Sequence, residues 1–198
     1  MNAIVDYGMG NLRNVRRAFE AIGVPVVVTS QGAEVVKADR VILPGVGAFG
    51  EAVKRIDALG LREPLLRHVS DGKPLLGICL GMQLLFESSE ESPGAAGLSL
   101  LQGTVLRFRG VVKVPHIGWN TVEPAGASVL FPPGSGQRCF YFVHSYFVPG
   151  SSSCTAMTDY GVRFVSAVQQ KNLLGVQFHP EKSQDDGQFL LRNFLEMA

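Results

Sequence analysis

A cysteine flanked by glycines is the position in this sequence whose chemistry is easiest to infer. Residues 74–87 are Pro-Leu-Leu-Gly-Ile-Cys-Leu-Gly-Met-Gln-Leu-Leu-Phe-Glu, an apolar strand pattern that breaks at Cys79 and continues as a helical pattern. A nucleophile elbow has this form, because Gly77 and Gly81 remove side chains that would clash at the strained turn. A helix N-terminus also favours the thiolate. We therefore predict that Cys79 is a catalytic nucleophile.

A histidine and an acid near the C-terminus could complete this site. Residues 175–182 are Gly-Val-Gln-Phe-His-Pro-Glu-Lys, and Pro180 should end a strand at His179 because proline cannot donate to a sheet. A cysteine nucleophile needs an imidazole base, and the imidazole needs an acceptor that fixes its tautomer. We predict that His179 and Glu181 have these roles, at the same sheet edge as Cys79. Taken alone, the His-x-Glu pattern is weak evidence, because a histidine at the end of a strand is more often structural.

Other kinds of site find little support in the sequence. Cys139 and Cys154 lack a comparable context, and three cysteines without CxxC spacing argue against a disulfide framework or a metal site. No Walker loop or dinucleotide fingerprint is present, so we expect no cofactor. The formal net charge of +1, with 18% charged residues, is unlike the basic field that nucleic-acid binding requires. We expect small-molecule or protein partners.

Length and hydropathy predict one domain over residues 1–198, since 46% hydrophobic residues can fill one substantial core. The longest apolar stretches, such as residues 24–28 and 75–80, are far shorter than the roughly 20 residues of a membrane-spanning helix. The N-terminus has no basic region ahead of an apolar one, so we expect neither a secretory signal nor a membrane segment. A cytoplasmic location follows as an expectation.

The elements that must position the candidate residues differ between the two halves of the chain. Four short apolar runs predict buried strands: residues 3–5, 24–28, 41–43 and 75–78. Two amphipathic patterns predict helices between them: residues 12–22 and 49–59. This alternation predicts a parallel sheet covered on both faces, with functional groups at the carboxyl ends of its strands.

The second half should be largely antiparallel, because closely spaced strand patterns follow one another without helix-length patterns between them. The candidate strands are residues 105–108, 119–122, 129–131, 140–143, 164–169 and 174–178. Apolar residues between 189 and 195 predict a closing helix.

Together these segments resemble the class I, or triad, glutamine amidotransferases. Gly-Ile-Cys-Leu-Gly-Met-Gln at residues 77–83 and Phe-His-Pro-Glu at residues 178–181 carry the resemblance, which extends over nearly the whole chain. It implies an α/β three-layer sandwich of flavodoxin-like type, with a mixed, mainly parallel central sheet and an antiparallel C-terminal portion. It also implies that Cys79 attacks the side-chain amide of L-glutamine, forming a thioester and releasing ammonia.

Within this class, further segments are similar to the glutaminase subunits of imidazole glycerol phosphate synthases: residues 6–14, 43–49, 114–120, 142–146 and 179–184. This resemblance implies a heterodimer with a TIM-barrel cyclase subunit, which receives the ammonia for histidine biosynthesis and activates the glutaminase. Three alternatives stay open: a glutaminase subunit of another synthase, such as those making anthranilate or pyridoxal phosphate, a cysteine peptidase, and a catalytically silent regulatory subunit.

The resemblance also implies roles for individual residues. Val46 and Leu80 would supply the oxyanion-hole N–H groups, and glycines around Val46 make that peptide able to turn over when the cyclase binds its nucleotide. The residues expected to hold the substrate are Gly47, Gln83, Ser145 and Tyr146. Those expected at the partner interface are Asn11, Asn14, Trp119, Tyr141 and Lys182.

Simpler roles remain open for several of these positions. Asn11 and Asn14 could serve as helix N-caps, and Lys182 could be an ordinary solvated lysine. His144 is balanced between a structural role and a role in shaping the glutamine pocket. His116 is expected to support the partner interface together with Trp119. His68, in an apparent surface helix, is given a structural role.

Overall fold

Strands and helices alternate through the first half of the computed structural model, which describes residues 1–110 and 112–197. The strands are β1 (Asn2–Val5), β2 (Val26–Thr29), β3 (Arg40–Gly45), β4 (Leu75–Cys79), β5 (Phe86–Ser89), β6 (Leu101–Arg107), β7 (His116–Pro124), β8 (Arg138–His144), β9 (Tyr146–Phe147), β10 (Cys154–Asp159), β11 (Arg163–Gln170) and β12 (Leu173–Val176). The helices are α1 (Leu12–Ala21), α2 (Gly32–Lys37), α3 (Phe49–Ala58), α4 (Arg62–Ser70), α5 (Leu80–Gln83) and α6 (Gln184–Leu195), and a one-turn 3-10 helix covers Pro180–Lys182.

The described residues build one large mixed sheet in the order β2-β1-β3-β4-β12-β11-β10-β7-β8. Its first five strands are parallel, and the remaining pairings are antiparallel. This confirms the predicted change from a parallel N-terminal half to an antiparallel C-terminal portion. Strand β4 ends at Cys79 and pairs with β12 in the register Ile78 with Val176, so the chain after β12 runs beside Cys79.

Helices cover both faces of the parallel strands, because successive side chains of each strand point alternately into two hydrophobic clusters. On strand β3, Val41 and Leu43 pack with residues of α2, α3 and α4 on one face. Ile42, between them, packs with residues of α1 and α6 on the other. The result is the predicted three-layer sandwich, with the carboxyl ends of the strands left open at one edge.

The helical pattern predicted after Cys79 is wrong beyond its first turn, because the chain there enters a smaller three-stranded sheet in the order β5-β6-β9. Helix α5 ends at Gln83 after about one turn, and Phe86 pairs with Leu101 of β6 instead of continuing the helix. Leu84, Leu85 and Phe86 are all fully buried, so this run has no polar face of the kind a longer surface helix would need.

Three further predictions from the sequence differ from the structure. Residues 129–131 do not form a strand, because the N–H of Val129 donates to the Gln169 side chain and not to a neighbouring strand. Strand β2 begins at Val26, two residues later than predicted. His68 is buried within α4, between the carbonyl oxygens of residues 35 and 74, and does not lie on a surface face. Strands β5, β9 and β10 were not predicted.

No helix in the part of the chain that the structure describes has the length and apolar character needed to cross a membrane.

Candidate active site

Cys79 occupies a strained turn between β4 and α5, with φ 55° and ψ −110°. A side chain at Gly77 would lie 2.7 Å from the carbonyl oxygen of Gly81, and one at Gly81 would collide with the carbonyl oxygen of Leu43. Only glycine fits at either position, because strand β3 and the first turn of α5 approach the elbow so closely. The elbow geometry predicted from the two glycines is therefore present.

His179 and Glu181 form a buried pair in the segment that follows β12, where the strand has ended at Val176 and not at His179 as predicted. The Nδ1 atom of His179 lies 2.7 Å from Oε1 of Glu181, and each side chain is only 2% exposed. The 3-10 helix that starts at Pro180 turns the chain so that Glu181 comes back to the imidazole. Ser183 holds this turn in place, since its hydroxyl donates to the carbonyl of His179 at 2.6 Å and accepts from the N–H of Tyr141 at 3.0 Å.

The charges around His179 favour its protonated form. Burial lowers the pKa of His179, but the negative charges of Cys79 and Glu181 outweigh it and raise the pKa to about 10. Glu181 occupies Nδ1, so Nε2 is the nitrogen that remains for proton exchange with Cys79. Among the described residues Nε2 of His179 has no hydrogen-bond partner, and it is the atom through which a base would exchange a proton with a cysteine nucleophile.

A pocket of about 430 Å³ opens beside Cys79. Its walls contain eight residues that were predicted to have a role in the site or at the partner interface: Val46, Gly47, Cys79, Leu80, Gln83, Ser145, Tyr146 and Lys182. Glu91, Pro115 and Val143 also line it and were not predicted, and His144 forms part of the same wall. Glu91 accepts a hydrogen bond from the N–H of Phe49 at 2.7 Å and so caps helix α3, which follows the Val46 segment.

Of the two N–H groups expected to hold an oxyanion, that of Val46 is already hydrogen-bonded in this structure. Leu80 is the first residue of α5, where the N–H groups of the opening turn have no intrahelical partner. The N–H of Val46 instead donates to the carbonyl oxygen of Met9 at 3.2 Å. Gly47, which follows it, has φ 96°, a conformation that glycine adopts readily. Val46 can therefore serve as a donor to an oxyanion only after this peptide turns.

Two buried glutamines link the pocket wall to the nucleophile. Gln83 donates through Nε2 to the carbonyl of Tyr146 at 3.1 Å and to Oε1 of Gln177 at 3.0 Å. Gln177 in turn donates through Nε2 to the sulfur of Cys79 at 3.7 Å. Gln177 was not singled out from the sequence. The available signal was a glutamine between two apolar residues at the end of a strand that is otherwise apolar.

A pair of neutral histidines forms another part of the pocket wall. His144 must donate through Nδ1 to the carbonyl of Tyr146 at 2.8 Å, so its Nε2 accepts from Nδ1 of His116 at 2.9 Å. Nε2 of His116 then accepts from Asn120 at 3.3 Å. Burial lowers the pKa of His144 to about 3 and that of His116 to about 4. His116 is buried, so it can support a partner interface only from beneath the surface.

The residues expected at the partner interface lie in two places. Trp119 is 49% exposed on β7, its ring packs edge-on against Tyr141 at 6.2 Å, and Nζ of Lys182 lies 5.5 Å from the Tyr141 ring centre. These three residues form an aromatic and cationic surface beside the pocket. Asn11 caps α1 and accepts from the N–H of Asn14 at 3.3 Å, so the N-cap role left open for Asn11 is observed.

Within residues 1–110 and 112–197, no group of three or more His, Cys, Asp or Glu side chains is placed to hold a metal ion.

The chain belongs to the glutamine amidotransferase class-I family, whose pattern matches residues 3–198. Among curated proteins, it is similar to those named imidazole glycerol phosphate synthase subunit HisH. It is 48% identical over 198 residues to the one from Methanothermobacter thermautotrophicus, covering 100% of this chain and 98% of the relative. It is 47% identical over 206 residues to the one from Syntrophotalea carbinolica, covering 100% of both. The resemblance drawn from the sequence motifs is confirmed.

Solved structures with low sequence identity share the fold. A structure described as a glutamine amidotransferase superposes with a TM-score of 0.78 at 21% identity, covering 98% of this chain and 97% of the other. The PurLQS structure from Thermotoga maritima gives a TM-score of 0.74 at 18% identity, with 98% and 96% covered. These similarities confirm the predicted fold class.

Proposed function

We propose that this glutamine amidotransferase is the glutaminase subunit of an imidazole glycerol phosphate synthase, with residues 1–198 forming one domain. It hydrolyses L-glutamine to glutamate and passes the ammonia to a cyclase subunit for histidine biosynthesis. The observation that carries the proposal is the elbow cysteine Cys79, which lines a pocket of about 430 Å³ and lies near the acid-paired His179. The similarity to subunits of this synthase over the full chain supports the choice of pathway.

The proposed reaction begins with attack of the Cys79 thiolate on the side-chain amide carbon of glutamine. Protonated His179 gives its Nε2 proton to the leaving nitrogen, which departs as ammonia, and a glutamyl thioester remains. His179 then takes a proton from water, which attacks the thioester and releases glutamate. Glu181 keeps the imidazole in one tautomer and stabilises its positive charge through both halves of the reaction.

The oxyanion of each tetrahedral intermediate would be held by the N–H groups of Leu80 and Val46. The Val46 N–H donates to the carbonyl oxygen of Met9 in this structure, so the Val46 peptide must turn before its N–H can hold the oxyanion. We place this turn at the moment when the cyclase subunit binds its nucleotide. One oxyanion donor is worth about 3 kcal/mol, or roughly a hundredfold in rate, so the free subunit should hydrolyse glutamine slowly. Gly47, Gln83, Ser145 and Tyr146 would hold the glutamine.

The proposed partner is a cyclase subunit with a TIM-barrel fold, in a heterodimer that works in the cytoplasm. The relatives' name denotes one subunit of a synthase, which supports a partner of some kind. Exposed Trp119 lies with Tyr141 and Lys182 next to the pocket, a suitable place for contact and for the exit of ammonia. Lys182 would pair with an acidic group of the cyclase. Asn11 and Asn14 would lie at the rim of the same contact.

The first test measures glutamate release from glutamine by the wild type, Cys79→Ala and Cys139→Ala. Each is assayed alone and with the cyclase subunit plus its nucleotide ligand. We expect activity that depends on Cys79 and rises about a hundredfold or more in the complete mixture. Cys139→Ala is the matched control, because that cysteine is exposed and should leave the rate unchanged.

Other results would redirect the assignment. Activity that is indifferent to the cyclase, or failure to bind it in a pull-down with candidate synthase subunits, would point to a glutaminase of another synthase. Cleavage of peptides but not glutamine would point to a peptidase. If diazo-oxo-norleucine failed to label Cys79 even with the cyclase present, the chain would be a silent regulatory subunit.

A further inference from the structure

Gln177 is a fully buried amide beside the nucleophile and has no role in the mechanism above. It follows directly after β12, where the pairing of Val176 with Ile78 brings it level with Cys79 on the neighbouring strand. A buried amide is costly unless its polar atoms are hydrogen-bonded. Here both are used: Nε2 donates to the Cys79 sulfur at 3.7 Å, and Oε1 accepts from Gln83 at 3.0 Å.

The direction of these hydrogen bonds follows from one backbone carbonyl. The carbonyl of Tyr146 can only accept, so Gln83 must present its amide nitrogen there, at 3.1 Å. The second hydrogen on that nitrogen points to Gln177, which must therefore present its oxygen. The remaining nitrogen of Gln177 is then directed at the sulfur of Cys79. Exchanging oxygen and nitrogen at Gln83 would place its acceptor against two other acceptors, and the same exchange at Gln177 would place its donor against the donor of Gln83.

We propose that Gln177 is a positioning residue for glutamine hydrolysis: its N–H stabilises the Cys79 thiolate, and its amide oxygen holds Gln83 with the Gln83 oxygen facing the substrate. Both hydrogens on Nε2 of Gln83 are occupied by protein acceptors. Gln83 therefore offers the pocket only an acceptor, which suits a substrate donor such as an ammonium or amide N–H group. This inference rests on the proposed glutaminase function.

Three variants separate the two parts of the proposal. Gln177→Glu keeps an oxygen for Gln83 but replaces the donor to the sulfur with a negative charge. Gln177→Met keeps the length of the side chain and removes both hydrogen bonds. Gln170→Glu, at an exposed position on β11 where the side chain accepts a hydrogen bond from Ser153, is the matched control for adding the same charge.

The first readout is the rate at which iodoacetamide alkylates Cys79 between pH 5 and pH 10, followed by mass spectrometry of the peptide that contains it. We expect Gln177→Glu to move the profile upward by about one pH unit, which lowers the rate about tenfold on the acid side of the profile. Gln177→Met should move it less, and Gln170→Glu should match the wild type. The titratable groups around Cys79 are the same in all variants: His179, backed by Glu181, then Tyr7, and the pocket residues Glu91, His144, Tyr146 and Lys182.

The second readout is the steady-state kinetics of glutamine hydrolysis in the complex with the cyclase subunit. Gln177→Glu should lower kcat about tenfold with KM within about twofold of wild type, because Gln83 keeps its partner. Gln177→Met should raise KM as well, because Gln83 is then free to rotate. A merely structural role would lower the melting temperature of both variants without separating kcat from KM and without moving the alkylation profile.

The two proposals fail in different ways. A folded Gln177→Glu or Gln177→Met variant with the wild-type alkylation profile would overturn the role of Gln177, whatever the activity of the complex. Should Gln177→Glu not fold, the profile of Gln177→Met decides the matter. A wild-type protein without glutaminase activity, but with the expected shift in alkylation, would overturn the proposed function and leave the contact between Gln177 and Cys79 supported.

Discussion

Two pairs of buried side chains, each containing histidine, lie at the same end of the sheet, and their histidines differ in protonation state. His179 lies beside Cys79 and faces the carboxylate of Glu181 at 2.7 Å, and the negative charges of Cys79 and Glu181 together raise its pKa to about 10. His144 faces His116 at 2.9 Å, and their pKa values fall to about 3 and 4. Burial lowers the pKa of all three histidines, so the charge of the neighbouring groups decides whether the final pKa is raised or lowered. A negative neighbour outweighs desolvation, whereas a backbone carbonyl does not.

The difference gives the two pairs separate tasks. His179 is charged near neutral pH and can exchange a proton with Cys79. His144 and His116 stay neutral, so each has one donor and one acceptor, and the direction of their hydrogen bonds is fixed. The first pair is suited to proton transfer, and the second to holding the Tyr146 carbonyl that orients Gln83.

The largest effect should come from Glu181→Gln, which makes the first pair resemble the second. Without the carboxylate the pKa of His179 should fall, and the imidazole loses the charge that fixes its tautomer. We expect kcat for glutamine hydrolysis in the complex to fall roughly a thousandfold. Steady-state kinetics and NMR titration of the histidine side chains measure the two effects.

The matched control for this prediction is Glu87→Gln on β5. Glu87 is exposed and accepts a hydrogen bond from the N–H of Gly103, which glutamine can also accept. Wild-type rates in Glu181→Gln, with a normally folded protein, would show that the carboxylate does not set the state of the imidazole.

A smaller effect is expected from His144→Leu, which removes the donor to the Tyr146 carbonyl. It also leaves Nδ1 of His116 without its acceptor, at a cost of about 1–3 kcal/mol in the free energy of unfolding. We expect KM for glutamine to rise about tenfold while kcat changes little, because Gln83 and Tyr146 lose their fixed orientation. His144→Gln should recover part of the change by restoring a donor. Equal losses in both variants would contradict this role for the hydrogen bond.

A third effect concerns stability in acid. A histidine whose pKa is lowered in the folded state contributes stability that is full above the unfolded pKa near 6.5 and is lost as pH falls. His144 and His116 should therefore make the wild type lose stability between pH 6.5 and pH 4.5. His144→Gln removes one of these groups, so it should lose about 2 kcal/mol less over that interval.

Urea denaturation at the two pH values measures this difference. The buried His68, whose pKa is also lowered by burial, contributes to the acid loss in both proteins and cancels in the comparison. Parallel losses in wild type and variant would mean that His144 is not held neutral.

The predictions made from the sequence succeeded where a residue type was demanded by its own local geometry. Cys79 needs glycine on both sides because the elbow leaves no space. The strand end predicted at His179 from Pro180 was wrong by three residues, since β12 already ends at Val176. Such requirements are visible in a few consecutive residues. The same holds for the alternating strands and helices of the first half, whose apolar spacing follows from burial on two faces.

The features that were missed depend on contacts between distant segments. Residues 129–131 are apolar enough for a strand, but the Gln169 side chain takes the place of a strand partner. The position of Gln177 beside Cys79 depends on the pairing of β12 with β4, which hydropathy does not define. His68 belongs to a helix whose buried side faces residues 35 and 74, and no local pattern marks it as buried.

Strand β7 carries two surfaces on alternating residues. His116 pairs with His144 and Asn120 donates to His116, whereas Ile117 and Trp119 on the other face are 56% and 49% exposed. Strand β7 pairs with β8 without interruption, so a shift of one residue in the register would exchange the buried and the exposed side chains of β7. A single-codon insertion or deletion in β7 would therefore damage substrate binding and partner recognition together, whereas substitutions can alter each surface separately. Families of such subunits should accept changes of residue in this strand far more readily than changes of length.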